Sequence, residues 1–199
     1  MANGRVITGF SLPYVALYSE SGGAISYSSG TALARGVNVQ LTPNDAGDDN
    51  VFYADNVAAE RVAGVFTGAT LTLTVDGLKD AARKLIMGLP NASAETVGTE
   101  SVDFYYYDDD QAIPYVGVGF VVRYMEEGVT TYVPVVLPKC RFDQINDNAA
   151  TQEESIDWQT QELTATVLRA DDTKHSWRIV GEGLATEAKA SAAVIAKLA

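Results

Sequence analysis

The chain has 199 residues, enough for one domain with a buried core. Its 14 Lys and Arg residues and 26 Asp and Glu residues give a formal net charge of -12, which argues against a surface that binds phosphates. The single cysteine excludes an internal disulfide, and no apolar stretch is typical of a signal peptide or a membrane span, so synthesis and assembly in the cytoplasm are expected.

An arm or loop formed by residues 1–13 is expected to lead into a short strand at Tyr14–Tyr18. The Ser- and Gly-rich segment Ser19–Gly30 favours turns or a second short strand around Ala24–Tyr27. Alternating apolar and polar residues predict a strand at Gly36–Thr42, and a further short strand is expected at Val51–Ala54. Pro43–Asn50 (PNDAGDDN) predicts a polar loop. The pattern of Asp55–Arg61 leaves loop and helix open.

The middle of the chain contains the clearest strand and the clearest helix. In Ala69–Asp76 (ATLTLTVD), leucine and valine alternate with threonine, which is typical of a strand with one buried face. Leu78–Met87 (LKDAARKLIM) predicts a helix, and Gly88 follows it in the position of a C-terminal cap. The apolar stripe of this helix consists of Leu78, Ala82, Leu85 and Ile86.

The second half of the chain predicts two long β-hairpins. The first is Tyr115–Phe142, around a Glu-Glu-Gly turn, and the second is Ser155–Gly181, around a turn at Ala170–Lys174. A further strand is expected at Phe104–Tyr107, before the solvated acidic loop Asp108–Asp110.

The last segment, Thr186–Leu198, is rich in alanine and predicts a weakly amphipathic helix. Its expected apolar face consists of Ala188, Ala192, Ile195 and Leu198. Together these elements predict a mainly β (α+β) fold, a β-sandwich or partial barrel of antiparallel strands with one flanking α-helix and a possible C-terminal helix. The expected organisation is one domain over residues 1–183 with an extension over residues 184–199.

The sequence predicts no catalytic site and no metal site. His175, the single histidine, is expected to be an exposed strand residue without the partners that acid–base chemistry needs. Cys140 is expected to be a structural thiol, because its basic neighbours in a strand point to the opposite face. Gly117 and Gly119 lie inside a strand, where they predict a bulge or a close backbone approach instead of a dinucleotide site.

Three stretches of this sequence resemble the major tail proteins of long-tailed, non-contractile bacteriophages. They are FYADNVAAERVAGVFTGATLTLTVDGL (Phe52–Leu78), PYVGVGFVVRYMEEGVTTYVPVVLPKCRF (Pro114–Phe142) and ATQEESIDWQTQELTATVLR (Ala150–Arg169). The resemblance extends from about Leu33 to Gly181. It implies a structural virion protein: a β-sandwich with a flanking helix, six copies of which close into a ring, with rings stacked into the tail tube.

The same resemblance implies the partners and the place of the protein. The partners would be further copies of this chain, a tape-measure protein, and the tail terminator and initiator proteins. Genomic DNA would pass through the tube, with no cofactor and no membrane binding by this chain. The protein would be assembled in the bacterial cytoplasm and reside in the virion tail.

Two sets of residues are candidates for roles in such a tube. The candidate lumen-facing residues are Thr70, Thr72, Thr74, Asp76, Glu162, Thr164 and Thr166. An acidic wall built from such side chains would repel DNA without expelling it, because fields decay over ~8–10 Å at physiological salt. The candidate ring-stacking loop contains Asn44, Asp45, Asp48, Asp49 and Asn50, whose spacing does not match a calcium loop. The opposite assignment, with the polar strand faces outside the tube, is equally compatible with the sequence.

Other functions are left open by the sequence. One is the inner tube of a contractile tail or a secretion-system ring with the same fold. Another is a β-sandwich ligand-binding or adhesive module, in which Tyr105–Tyr107 would stack on a sugar. An enzyme is the least expected class.

Overall fold

The computed structural model describes residues 4–44, 50–54, 57–62, 66–89, 93–149, 151 and 158–199. Within these residues the chain forms twelve strands and two helices. The strands are β1 (Val6–Ser21), β2 (Ala24–Ala32), β3 (Gly36–Pro43), β4 (Asn50–Ala54), β5 (Val57–Val62), β6 (Ala69–Val75), β7 (Ser93–Val97), β8 (Glu100–Phe104), β9 (Val116–Glu126), β10 (Val129–Phe142), β11 (Gln161–Leu168) and β12 (Ile179–Val180). The helices are α1 (Asp80–Met87) and α2 (Glu187–Lys197).

Most strands form one antiparallel sheet in the order β2-β1-β9-β10-β11-β6-β3, with β12 paired to β10. The hairpins β4-β5 and β7-β8 are separate two-stranded sheets. The expected mainly β class, with antiparallel strands, a flanking helix and a C-terminal helix, is therefore confirmed. The main sheet does not close into a barrel, since β2 and β3 end it.

The sheet curls around one main core. Alternate residues of β1, β6, β9, β10 and β11 contribute to this core, and Ala82 and Ile86 of α1 pack into it. Strands β1 and β3 of the curled sheet approach each other at Phe10 and Gly36, where a Cβ on the glycine would overlap the phenylalanine ring. Nearby, the Leu33 amide donates to the Pro13 carbonyl at 2.9 Å.

The opposite face of the sheet is covered by α2. A smaller cluster forms there from Ala190, Val194 and Leu198 of the helix and from Ala16, Val121 and Val136 of the sheet. Helix α2 approaches closely because β9 has no side chain at Gly117 or Gly119. A Cβ at Gly117 would lie 2.5 Å from Leu198 Cδ2, and one at Gly119 would overlap Val194 Cγ1. The space at this glycine pair is filled by side chains, and the β9–β10 register also shifts opposite Gly117.

The expected apolar face of the terminal helix is wrong in three of its four positions. Ala188, Ala192 and Ile195 are exposed, and Leu198 alone of the expected face is buried. The stripe that packs on the sheet recurs every four residues from Ala190. Since alanines occupy both stripes, the sequence of the helix does not distinguish them, and the glycines of β9 decide which one packs.

Several predicted elements are confirmed with adjusted bounds. Strand β6 has the expected alternation of buried and polar residues. The first long hairpin is β9-β10, and Gly128 in its turn has a φ of 82°, as a tight hairpin turn requires. Helix α1 begins at Asp80 and ends at Met87, and it is capped by Gly88, whose φ of 61° lets its amide donate to the Lys84 carbonyl.

Other predictions require correction. The expected arm over residues 1–13 is wrong from Val6 onward, because β1 runs from Val6 to Ser21 with β-bulges near Thr8 and Leu12; β2 is also longer than expected and ends at Ala32. Part of the segment left open between loop and helix forms strand β5. The strand expected at Phe104–Tyr107 ends at Phe104.

The prediction of the second long hairpin is wrong. Strand β11 pairs with β10 and β6, whereas β12 pairs with β10. The intervening loop is held by its own hydrogen bonds, in which the Ala170 amide donates to the Ser176 carbonyl at 2.9 Å. Trp177 then packs against the main core and stacks on Phe66 with 4.3 Å between ring centroids. The alternating pattern of this segment therefore reflects core packing and a two-residue bridge to β10.

Candidate functional site

Short polar side chains cover the outer face of β3, β6 and β11, opposite the main core. Central strand β6 pairs with both neighbours, so Thr72 lies between Gln40 of β3 and Thr164 of β11. We call this surface the polar face. It consists of Asn38, Gln40, Thr42, Thr70, Thr72, Thr74, Glu162, Thr164 and Thr166. Threonine suits it, because β-branching favours the strand while the hydroxyl remains hydrated.

The structure brings six of the seven candidate lumen residues together on the polar face. Thr70, Glu162 and Thr166 are exposed. Thr72, Thr74 and Thr164, at the middle of the ladder, are half-buried between their cross-strand neighbours.

The seventh residue, Asp76, lies just beyond β6 and is paired with Arg35. The Arg35 amide donates to Asp76 Oδ1 at 2.9 Å, and its Nε donates to Oδ2 at 2.5 Å. These hydrogen bonds hold the pKa of the Asp76 carboxyl below its usual range. Asp76 therefore carries a charge that Arg35 already balances.

Sequence reasoning missed the β3 side of the polar face. Asn38, Gln40 and Thr42 lie opposite Thr74, Thr72 and Thr70 respectively. The alternation in β3 is visible in the sequence, but its pairing with β6 is not. Val37 also departs from the expected pattern: it is 55% exposed because the β3–β6 register shifts between Gly36 and Asn38.

The polar face is nearly neutral, although the chain is strongly acidic. Glu162 is its one carboxylate among the described residues, and the exposed Arg141 of β10 lies opposite Thr166 at its border. Acidic residues concentrate instead in loops such as Asp108–Asp110 and in the β7-β8 hairpin. The acidic character expected of the candidate lumen residues is therefore not found on this face, which presents mainly hydroxyls and amides.

A polar groove of about 550 Å³ adjoins one end of the polar face, between Asp76, Glu162 and the loop after β10. Its main contact is a double hydrogen bond from the Arg83 guanidinium to Asp147, with both distances 2.9 Å. Gln161 Nε2 also donates to Asp147 Oδ1 at 3.1 Å. The arginine keeps the pKa of the Asp147 carboxyl low. The hydrogen bonds of Asp147 therefore fix the loop after β10 to α1. The described residues contain no cluster of three metal-ligating side chains.

The candidate ring-stacking loop is described only at its ends. The Asn44 amide, after β3, donates to the Gly68 carbonyl at 2.9 Å, and Asn50 begins β4. Asp45, Asp48 and Asp49 lie outside the described residues. The loop therefore leaves the main sheet beside the polar face and leads into the β4-β5 hairpin.

The residues considered for chemistry occupy structural positions. Cys140 is fully buried, and burial raises the pKa of its thiol. His175 is exposed as expected, but it lies in a loop with a φ of 50° and not in a strand. Its Nδ1 is 3.3 Å from the Ala170 carbonyl. In the acidic loop, Asp108 Oδ1 accepts from the Asp110 amide at 3.1 Å, as in a local turn.

A charged cluster fixes the loop after β11 to the sheet. Lys139 Nζ lies 2.6 Å from Asp171 Oδ2, and the Tyr18 hydroxyl donates to the same oxygen at 2.9 Å. Lys139 Nζ also lies 4.5 Å from the centroid of the Tyr115 ring. The ammonium and the hydroxyl lower the pKa of the Asp171 carboxyl.

We expect Asp171→Asn to lower the free energy of unfolding at neutral pH by about 1 kcal/mol, since it removes one charged partner of a half-exposed pair. The folded-state pKa of Asp171 is below its unfolded value, so its contribution is present above the unfolded pKa and is lost as pH falls through the folded pKa. Urea unfolding at neutral pH and at about pH 3 should show the difference shrinking in acid. An equal difference at both pH values would mean that charge plays no part.

No protein-family model matches this sequence, and no curated protein shows significant similarity to it. Neither helix of the described residues has the length and apolar content needed to cross a bilayer.

Proposed function

We propose that this chain is the subunit of a phage tail tube, which assembles with its own copies into stacked hexameric rings. The observation that carries the proposal is the polar face, a nearly uncharged surface across three strands of an acidic protein. Such a surface suits the wall of a conduit for DNA. It offers no array of cations that would hold phosphates, and it offers no apolar patch that would collapse on itself.

The electrostatic argument for this wall depends on counterion release. Each phosphate that a Lys or Arg neutralises adds affinity, and a long tube would repeat such a contact many times. Hydroxyls and amides add no such term. DNA near the polar face would also remain hydrated, because threonine, asparagine and glutamine side chains bind water. The proposed lumen is therefore neutral toward DNA, with repulsion contributed by acids outside this face.

The edges of the main sheet supply a means of assembly. Strands β2 and β3 end the sheet, so within the described residues each has one side without a strand partner. An exposed edge promotes pairing with other chains, and closed assembly removes it. Strand β3 belongs to the polar face, so a subunit that pairs along this edge would extend the same face into its neighbour. Repetition around a ring would give a continuous polar lining.

The remaining features of the proposal follow from the resemblance. The tube would enclose a tape-measure protein during assembly, end at terminator and initiator proteins, and reside in the virion tail. The loop containing Asn44, Asp45, Asp48, Asp49 and Asn50 would contact the next ring. The inner tube of a contractile or secretion-type system would share the same polar lining but carry a sheath on its outer surface.

We expect the purified protein to form rings and tubes as its concentration rises. Negative-stain electron microscopy and sedimentation velocity over a concentration series would show them. A strictly monomeric protein at every concentration, particularly one that binds a glycan or converts a substrate, would contradict the proposal. Tubes that recruit a sheath protein would indicate the contractile system instead.

A further inference from the structure

The β7-β8 hairpin presents an exposed surface, although Glu95 accepts a hydrogen bond from the Tyr106 hydroxyl at 2.7 Å and Asp103 and Phe104 line a cleft beside α1. All residues of both strands are exposed. Their register places Val97, Val102 and Phe104 on one face, with exposed fractions of 56%, 37% and 41%. An isolated two-stranded hairpin is marginally stable in water unless its apolar face is packed. We call Ser93–Phe104 the acidic hairpin, because Glu95, Glu100 and Asp103 are its charged residues and it contains no Lys or Arg.

An apolar groove lies between β1 and β3. It has a volume of about 330 Å³ and a floor formed by Phe120 and Val122. Ile7 and Val37 stand at its rim and are 63% and 55% exposed. We call it the β1–β3 groove. Its remaining apolar lining residues are Phe10, Val39 and Leu41.

Cations surround the β1–β3 groove, in contrast to the net charge of -12 for the whole chain. Arg178 lines it directly. The Arg5 guanidinium lies 4.0 Å from the centroid of the Tyr124 ring, which also lines the groove. Arg123 Nε is within 3.8 Å of a Cβ built on Gly9. None of the described lining residues is acidic. The groove and the acidic hairpin are therefore complementary in charge as well as in hydrophobicity.

The groove is also bordered by strand edges. Strand β2 pairs with β1 only from Tyr14 onward. Within the described residues, the Val6–Ser11 part of β1 therefore pairs with β9 on one side and leaves its other edge for a further strand. Strand β3 pairs with β6 and ends the sheet on the other side. Each strand of the acidic hairpin has 5 residues, a length that fits beside these edges. Adding a strand to such an edge is a common way to bind an extended segment.

We propose that the acidic hairpin of one copy docks in the β1–β3 groove of the next copy, with Val102 and Phe104 against the apolar floor and the hairpin carboxylates beside the arginines. The inference rests on the self-assembly proposed above and names the contact. The two surfaces are different parts of the same chain, so the contact is heterologous and each copy can bind one neighbour on each side. Such a contact closes into a ring or continues as a filament.

Charge and hydrophobic variants of the full chain test this contact. Val102→Lys places a cation toward the arginines, and Ile7→Asp places an anion toward the hairpin carboxylates. Both side chains are exposed in the free subunit, so folding should be retained, as circular dichroism would check. We expect each variant to raise the concentration of half-assembly by at least about tenfold. The matched controls, Ile195→Lys and Ile195→Asp on exposed α2, should leave it within about twofold.

An equimolar mixture of the Val102→Lys and Ile7→Asp proteins should associate better than either alone. One contact between the unlike copies is then wild type, and the other pairs lysine with aspartate. Sedimentation velocity of each protein and of the mixture gives this comparison. Variants that assemble like wild type, or a mixture that behaves like its components, would overturn the hairpin–groove contact while leaving self-assembly intact.

A disulfide trap separates this contact from tube formation as such. Full-length Ile7→Cys and Val102→Cys proteins, mixed under mild oxidation, should give a disulfide-linked dimer on non-reducing gels. Native Cys140 is fully buried and does not compete. The pair Ile195→Cys and Val102→Cys should give no such dimer. Absence of the Ile7–Val102 crosslink would overturn the inference even if tubes form, whereas a crosslinked dimer from protein that never forms tubes would contradict the tail-tube proposal alone.

Discussion

We expect Gly119→Val to lower the free energy of unfolding by about 3 kcal/mol, the upper part of the range for overpacking a closed interface. The Cβ alone would overlap Val194 Cγ1 and lie 3.0 Å from Leu198 Cδ1. Strand β9 is paired on both sides, with β1 and β10, so the sheet cannot move away. Helix α2 must therefore leave its site, and the packing of Val194 and Leu198 is lost.

Urea unfolding followed by circular dichroism measures this loss, and limited trypsin digestion at Lys189 and Lys197 would show whether α2 has been released. Gly77→Val is the matched control, because a Cβ at Gly77 meets no atom within 4 Å. Val194→Ala should recover part of the stability in the double variant, since it removes the overlapping methyl group. A stable Gly119→Val protein with protected α2 would contradict the packing described here.

The second large effect concerns DNA. We expect virions whose tail subunit carries Thr70→Lys and Thr74→Lys to eject DNA at least about tenfold more slowly at low salt, because both lysines enter the polar face and every ring repeats them. The two residues are on the same strand and the same face. Ejection followed with a DNA-binding dye over a range of salt concentrations would measure the change, which should diminish as salt screens the added charges.

The control adds the same charge elsewhere. Ala188→Lys with Ala192→Lys places two lysines on exposed positions of α2, away from the polar face. Electron microscopy should show normal tubes for both double variants. If the α2 lysines slow ejection and the β6 lysines do not, the polar face lies outside the conduit, and the alternative assignment of these strands is correct.

Local patterns predicted those elements that local chemistry determines. Strand β6 follows from strict alternation, α1 from its apolar stripe and from Gly88, and β9-β10 from two β-rich runs around a glycine turn. Six candidate lumen residues fall on one face for the same reason, because residues with a period of two share a face wherever the strand is paired.

Features that depend on distant partners were not predictable from one sequence. The face of α2 is chosen by Gly117 and Gly119, about eighty residues earlier in the chain. Asn38, Gln40 and Thr42 join the polar face only because β3 pairs with β6. The segment around Trp177 alternates like a strand, yet the Trp177 ring packs against Phe66 and the main core. In each case tertiary packing overrides local propensity.

The central pairing of β1 with β9 has a consequence for biosynthesis. Leu17 lies opposite Val116 and Val6 opposite Met125, so β1 leaves the ribosome long before its partner is translated. Until then, β2 is the one sheet neighbour of β1 that has been translated. The apolar residues of the nascent β1 therefore remain exposed and can bind chaperones or nascent chains on adjacent ribosomes. Such non-local topology also slows folding after release, because a large loop must close before the ladder forms. Slower translation would lengthen this interval, so extra chaperone during expression should raise the soluble yield of this protein more than slower synthesis does.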